Sequence, residues 1–239
     1  MRTIIIEAHR GARAEAPENT LAAFQRALDL KAHSIELDVH PAADGTLVVL
    51  HDDTLDRTTD GAGPVAALNL RDLRKLDAGA KFHADFAGER IPTLGEVMGR
   101  VAPTRTLLNI EIKRPPAGMR VAEGVVQLLR HYGKAERYVV SSFDLNALLS
   151  VRRLAPEVKL ALIGGAADVL ARARALRLPW IHCSHSSLTV ELVRQAQADG
   201  IHVGVWTVND PAQARHWAEH GVERIITDDP RAILALGLA

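Results

Sequence analysis

Short apolar runs that end in polar residues alternate along the chain with stretches of helical spacing, and this alternation constrains the fold more than any other feature. Strand candidates rich in Ile, Val and Leu lie near Thr3–Ala8, Ser34–Val39, Thr106–Ile112, Arg137–Val140, Val158–Ile163, Pro179–Ile181, Ile201–Val205 and Arg224–Thr227. Between them, apolar residues three and four apart mark helices, as in the stripes Leu21, Phe24, Leu28 and Val121, Val125, Leu128, Tyr132. Asp210-Pro211 and Asp229-Pro230 each offer a capping acceptor followed by a proline suited to the first helical position. Strand–helix alternation implies a parallel sheet. Eight such units in 239 residues fit an α/β fold closed as a (β/α)8 TIM barrel, with an open doubly wound sheet as the alternative. The stretch from Asp52 to Pro92, which contains Thr58-Thr59-Asp60-Gly61-Ala62-Gly63-Pro64, shows no strand of barrel type. It reads as a small insertion after the second strand, too small for a core of its own, so residues 1–239 form a single domain with 52–92 as an inserted subdomain.

Charge narrows the possible partners. Lys plus Arg and Asp plus Glu number 29 each, so the formal net charge is zero. That balance gives no general attraction to nucleic acid or to an anionic membrane, and points to a small-molecule substrate. Cys183 is the one cysteine, so no internal disulfide can form and a reducing compartment is permitted. The three isoleucines of the opening Met-Arg-Thr-Ile-Ile-Ile-Glu-Ala-His are too few for a signal-peptide core, and no later apolar run could span a bilayer. The expected location is the cytoplasm. Neither Gly-x-x-x-x-Gly-Lys nor Gly-x-Gly-x-x-Gly occurs, so no nucleotide cofactor is indicated.

The candidate chemistry lies where the strands end, which in barrel enzymes is the catalytic face. Those ends read His9-Arg10-Gly11, Glu36-Leu37-Asp38, His51-Asp52, Glu111-Ile112-Lys113, Ser141-Ser142-Phe143, Trp206-Thr207-Val208-Asn209 and Thr227-Asp228. Glu36 and Asp38 are two apart, so on a strand both point to one face; Glu111 and Lys113 repeat the geometry. Three carboxylates converging in a barrel mouth repel one another. A hard divalent cation with oxygen ligands would resolve that, and so would salt bridges at the rim. His9 and His51 follow the apolar segments Ile4–Ile6 and Leu47–Leu50 and could move protons near neutral pH, whereas His131, His216 and His220 fall on predicted helices and suit surface roles. Arg10 and Lys113 supply cations for a phosphate. The set amounts to equipment for metal-assisted attack at a phosphodiester. His182-Cys183-Ser184-His185 has too few partners for a metal or thiol site and reads as pocket lining or strand-end packing. Gly164-Gly165 reads as a turn.

Several segments resemble one family in order along the chain. They are His9-Arg10-Gly11 with Pro17-Glu18-Asn19-Thr20, Glu36-Leu37-Asp38, Asp44-Gly45-Thr46 leading to His51-Asp52, Arg57-Thr58-Thr59-Asp60-Gly61, Ile91-Pro92-Thr93-Leu94, Glu111-Ile112-Lys113, Trp206-Thr207-Val208-Asn209 and Ile225-Ile226-Thr227-Asp228-Asp229-Pro230. The chain thereby resembles the bacterial, cytoplasmic type of glycerophosphodiester phosphodiesterase. The resemblance implies that Glu36, Asp38 and Glu111 hold one divalent cation, Mg²⁺ or Ca²⁺, and that His9 and His51 are the acid–base pair. It also places Arg10 and Lys113 near the phosphate, Trp206 against the glycerol moiety and Phe143 in the pocket wall. The implied reaction releases sn-glycerol 3-phosphate and an alcohol from a glycerophosphodiester. The loop Ala12-Arg13-Ala14-Glu15-Ala16 is more charged than the family's usual one, and His40-Pro41-Ala42-Ala43 also departs from its pattern; both bear on substrate preference. Two other functions compete: a phospholipase D-like phosphodiesterase acting on lysolipids, and a non-catalytic phosphodiester-binding barrel. A monomer or homodimer is expected.

Overall fold

In the computed structural model, residues 4–114 and 120–238 are described; Thr3, the first residue of the first strand candidate, lies outside them. Nine strands form, β1 (Ile5–Ala8), β2 (Ser34–Pro41), β3 (Leu47–Val49), β4 (Leu107–Ile112), β5 (Tyr138–Ser142), β6 (Lys159–Gly164), β7 (Trp180–Ser184), β8 (His202–Trp206) and β9 (Arg224–Thr227). The helices are α1 (Leu21–Asp29), α2 (Leu70–Leu73), α3 (Leu94–Val101), α4 (Val121–Tyr132), α5 (Leu145–Leu154), α6 (Ala166–Leu176), α7 (Val190–Ala198), α8 (Pro211–Glu219) and α9 (Pro230–Leu234). Every strand except β3 pairs in parallel with two neighbours, and β1 bonds both β2 and β9, which closes an eight-stranded barrel. The open-sheet alternative is thereby excluded, and all eight expected strands are present with ends shifted by a few residues.

The main hydrophobic core fills the layer between strands and helices, where Phe24, Ile35, Leu37, Ile110, Val125, Val140 and Leu148 are all fully buried. Helix starts carry the expected chemistry. Asp210 accepts from the Ala212 amide at 3.1 Å and Asp229 from the Ala232 amide at 3.0 Å, each with proline in the first turn. No helix among the described residues is long and apolar enough to cross a membrane.

The barrel interior is polar rather than aliphatic in its middle layer. Glu7 of β1 accepts from Ser34 Oγ of β2 at 2.5 Å and from Asn109 Nδ2 of β4 at 2.9 Å. It also pairs with Arg224 of β9, whose guanidinium carbon lies 5.2 Å from the centroid of the Trp180 ring. Glu7 and Arg224 are 0% and 1% exposed, so neither charge has access to water. Because side chains alternate along a strand, residues two positions further on rise toward the mouth: His9 above Glu7, Glu36 and Asp38 above Ser34, Glu111 above Asn109.

The stretch from Asp52 to Pro92 contains α2 and two short 3-10 turns, Val65–Ala67 and Ala84–Phe86. Contrary to the expectation that it is too small for a core, Leu55, Val65, Leu73, Ala78 and Ile91 pack with Ala42, Val48 and Leu50 in a cluster separate from the barrel core. The reason lies in β3, which pairs antiparallel with the overhanging end of β2 and turns Val48 and Leu50 away from the barrel. Gly45, at φ +81°, supplies the tight turn between β2 and β3.

Removing Glu7 leaves the Arg224 guanidinium buried without its counter-charge, a change that typically costs about 3–5 kcal/mol. Glu7→Leu should lower the urea-unfolding free energy by about that amount, and the double variant Glu7→Leu/Arg224→Met should recover much of it. A loss in Glu7→Leu below about 1 kcal/mol would show that the pair carries no such role.

Candidate active site

The loops at the carboxyl ends of the strands enclose an open-mouthed cavity of about 520 Å³. Its wall includes His9, Arg10, Glu36, His51, Glu111, Lys113, Phe143 and Trp206, so eight of the nine residues singled out in the sequence face one space. The ninth, Asp38, is 1% exposed and sits beside that wall: one carboxylate oxygen each from Glu36, Asp38 and Glu111 lie within 4.8 Å of one another.

The trio is held from several directions. At the end of β1 the chain turns sharply through Arg10 (φ +56°) and Gly11 (φ +83°), and the turn aims the Arg10 amide at Glu36 Oε2, 2.8 Å away. Gly11 is required twice over, since a Cβ there would lie 2.7 Å from Ala23 of α1. Asn19, also left-handed, donates its Nδ2 to Asp38 Oδ2 at 2.8 Å. Lys113 Nζ stands 3.1 Å from Asp38 and 2.7 Å from Glu111, and Arg10 Nε stands 3.5 Å from Asp38. Glu36 Oε1, by contrast, is buried and has no hydrogen-bond partner in the protein.

Electrostatics separates the three acids. Burial, with repulsion from Asp38 and Glu111, pushes the Glu36 carboxyl well above the usual carboxylate range. Burial and the neighbouring Asp38 raise Glu111 to about 7 in spite of Lys113. Asp38 is the one held ionised: burial opposes its charge, but Lys113 and Arg10 outweigh it and bring it below the usual value.

Each histidine is braced by a carboxylate. His9 Nδ1 lies 2.6 Å from Asp228 Oδ1, and His51 Nδ1 lies 2.7 Å from Asp52 Oδ1. Asp228 is fixed in turn by Asn209 Nδ2 at 2.9 Å, and Asp52 by Arg57 Nε at 2.7 Å. His51 reaches the mouth because β3 lies against the long β2, where the Leu50 amide donates to the Asp38 carbonyl at 3.1 Å. Burial lowers the His51 ring below the ordinary histidine value, although Asp38 pulls it upward. The two braces meet at Glu18. It touches Arg57 at 2.8 Å, Arg10 at 2.9 Å and Arg13 at 3.0 Å, and Arg13 continues to Asp228 at 3.4 Å. Burial opposes the Glu18 charge, yet its hydrogen bonds with Arg57 and the charges around it bring the carboxyl down to about 2.

At the rim, Trp206 donates Nε1 to the His182 carbonyl at 3.1 Å and meets Phe143 edge-on at 5.9 Å between ring centroids. Phe143 is 56% exposed, which leaves its ring open to a bound molecule. The structure adds residues to which sequence reasoning gave no role: Glu18, Asn19, Asp52, Arg57, Asn209 and Asp228. Asp52, Asn209 and Asp228 stand in strand-end motifs and Glu18, Asn19 and Arg57 in the segments that carry the family resemblance; the adjacency His51-Asp52 and the terminal Thr227-Asp228 were the available signals. His182 lines the cavity, while Cys183 is fully buried in the core with its thiol pushed up to about 12 by burial, which leaves it inert as a nucleophile.

A carboxyl raised from 4.5 to about 7 on folding destabilises the folded state progressively across that interval, because only the unfolded chain releases its proton there. In cation-free solution Glu111→Gln should therefore gain stability over the wild type as pH rises from about 4.5 to about 7, by up to about 3 kcal/mol, and level off above. Urea titrations of both proteins across that range provide the check. A difference independent of pH would show that Glu111 is not held protonated.

The family model described as the glycerophosphoryl diester phosphodiesterase family matches residues 9–232. A glycerophosphodiester phosphodiesterase of Caldanaerobacter subterraneus subsp. tengcongensis is 40% identical, over 99% of this chain and 98% of that protein. Among solved structures, a phosphodiesterase of Oleispira antarctica in complex with the product sn-glycerol-3-phosphate superposes with a TM-score of 0.92 at 31% identity, covering 98% of this chain and 96% of that one. A glycerophosphodiester phosphodiesterase of Agrobacterium tumefaciens gives 0.85 at 31% identity, covering 98% of this chain and all of that one. The length of these matches and their agreement with the barrel mean that the chain belongs to the glycerophosphoryl diester phosphodiesterase family.

Proposed function

We propose that the protein hydrolyses glycerophosphodiesters to sn-glycerol 3-phosphate and an alcohol, with His9 and His51 as the acid–base pair and Glu36, Asp38 and Glu111 as ligands of one divalent cation. The observation that carries the reading is the placing of the three carboxylates and the two aspartate-braced histidines around one cavity. The Oleispira antarctica phosphodiesterase, whose structure is in complex with the product sn-glycerol-3-phosphate, supports the identity of the substrate.

The trio fits a cation on its own chemistry. Its donors are hard oxygens, Glu36 Oε1 is buried without a partner, and two of the three carboxyls are raised by burial and by mutual repulsion, which a positive ion relieves. Mg²⁺ and Ca²⁺ both suit such a site. When bound, the ion supplies Lewis acidity and charge neutralisation beside the phosphoryl group. Arg10 and Lys113 add cations for the non-bridging oxygens, and Trp206 with Phe143 offers apolar faces for the carbon skeleton.

With Nδ1 of each histidine engaged by an aspartate, Nε2 is the ring nitrogen left for chemistry. One imidazole takes the proton of the glycerol 2-hydroxyl as its oxygen attacks phosphorus. The other, protonated, delivers its proton to the departing alcohol oxygen, which leaves a cyclic phosphate. The pair then works in reverse: a water loses its proton as it attacks phosphorus, and the glycerol oxygen is released with a proton. Residues 1–239 act in this reading as one domain, and the inserted segment 52–92 contributes through Arg57, which braces Asp52. The zero net charge suits a small soluble substrate and the single cysteine permits a location in the cytoplasm; the acting unit in this reading is a monomer or homodimer.

The test is release of sn-glycerol 3-phosphate from glycerophosphocholine and glycerophosphoethanolamine, with EDTA or with added Mg²⁺ or Ca²⁺. Release should require the cation, and His9→Ala or His51→Ala should each lower turnover by about 10²–10⁴-fold with an unchanged unfolding profile. Cation-independent release, or near-normal rates in both histidine variants, would overturn the assignment.

A further inference from the structure

Buried polar atoms without partners are rare in folded proteins, and here they cluster. Among the described residues eight side-chain atoms are buried with no hydrogen-bond partner, and six of them belong to residues lining the one cavity: Arg10, Glu36, Asn109, Ser141 and both nitrogens of His182. Arg10 and Glu36 belong to the phosphate and cation machinery proposed above. Asn109 Oδ1, Ser141 Oγ and the His182 ring have no place in it, and these three residues are each at most 1% exposed. Leaving such groups unsatisfied is costly, because each has given up its hydrogen bonds to water.

Their positions are set by the barrel. Asn109 is paired in register with Glu36, and Ser141 with Glu111, so this inner wall adjoins the carboxylate trio directly. The Asn109 amide has one orientation available, because its Nδ2 donates to the Glu7 carboxylate at 2.9 Å and its carbonyl oxygen is the end left for the cavity. The His182 ring is accommodated by Gly204 on the adjacent strand, where a Cβ would stand 2.7 Å from Cδ2 of the imidazole. Burial keeps that ring neutral, at about 3, so one nitrogen donates and the other accepts.

We infer that Asn109, Ser141 and His182 form a subsite for one uncharged hydroxyl group, the terminal hydroxyl of the substrate's glycerol moiety, and so determine specificity for glycerol. The inference rests on the phosphodiesterase reading given above. An acceptor, a hydroxyl and a neutral imidazole together match an alcohol, which both donates and accepts. A phosphate would face the Asn109 carbonyl without a proton to give, and an ammonium group would find no carboxylate among the three. Glu7, bonded to Asn109, and Arg224, set against Trp180, occupy the adjoining barrel interior, so a free hydroxyl suits this wall better than one esterified with an acyl chain. The same wall thus disfavours lysolipid substrates.

The comparison is between glycerophosphocholine and its analogue in which the terminal hydroxyl is replaced by hydrogen while the 2-hydroxyl is kept. A site built to bond a hydroxyl rejects the analogue lacking it strongly, so the wild type should show a kcat/KM at least about 10²-fold lower for the analogue. His182→Phe, which keeps ring volume, and Ser141→Ala should each lower kcat/KM for the parent far more than for the analogue, collapsing the ratio towards one. Equal kcat/KM for the two substrates in the wild type would overturn the subsite, as would variants of unchanged melting temperature that slow both substrates alike. Cleavage of neither substrate by folded wild-type protein is a different result: it removes the phosphodiesterase reading, and the subsite with it.

Discussion

Mutual repulsion among three buried carboxylates is the constraint around which the mouth of this barrel is organised. Glu36, Asp38 and Glu111 bring oxygens within 4.8 Å of one another at 3%, 1% and 8% exposure, so little of that charge is in contact with bulk water. The surroundings answer it piece by piece. Lys113 and Arg10 attend Asp38, the amide of the Arg10 turn attends one oxygen of Glu36, and burial and repulsion shift Glu36 and Glu111 towards the neutral form. A cation at the same place would take over that last share, which makes cation binding and proton release two views of one equilibrium.

The closed barrel makes such a cluster tolerable. Parallel strands in fixed register give each inward residue one height, so a middle layer in which Glu7 binds Ser34, Asn109 and Arg224 can lie directly beneath the reactive layer. Around the rim, the ion-pair path from His9 through Asp228, Arg13, Glu18, Arg57 and Asp52 to His51 ties both histidines into one framework. Glu18 is its hub, linked to Arg10, Arg13 and Arg57, and of these Arg13 belongs to the loop whose charge departs from the family's pattern.

Much of this was readable before any coordinates. The strands announce themselves because each is an apolar run broken by a polar residue at the catalytic face, and Glu36/Asp38 and Glu111/Lys113 betray a shared face by a spacing of two. What sequence could not supply was contact between distant segments. Glu7 and Arg224 look like ordinary strand-edge charges, since nothing local tells that the barrel brings them together across 217 positions. Asp52 and Asp228 were visible in their motifs, but their bracing of His51 and His9 depends on β3 folding back over β2 and on closure between β1 and β9. The small core under the insertion escaped notice because Leu55, Val65, Leu73, Ala78 and Ile91 follow neither helical nor strand periodicity.

The account turns on whether the carboxylate trio is a cation site, and calorimetric titration of the cation-free protein with Mg²⁺ or Ca²⁺ addresses it most directly. Run at about pH 6, below the value near 7 at which Glu111 titrates, in buffers of different ionisation enthalpy, it should show one ion bound per chain with release of protons. The double variant Glu36→Ala/Glu111→Ala should give no saturable heat. Binding without proton release, or equal binding by the double variant, would contradict the account.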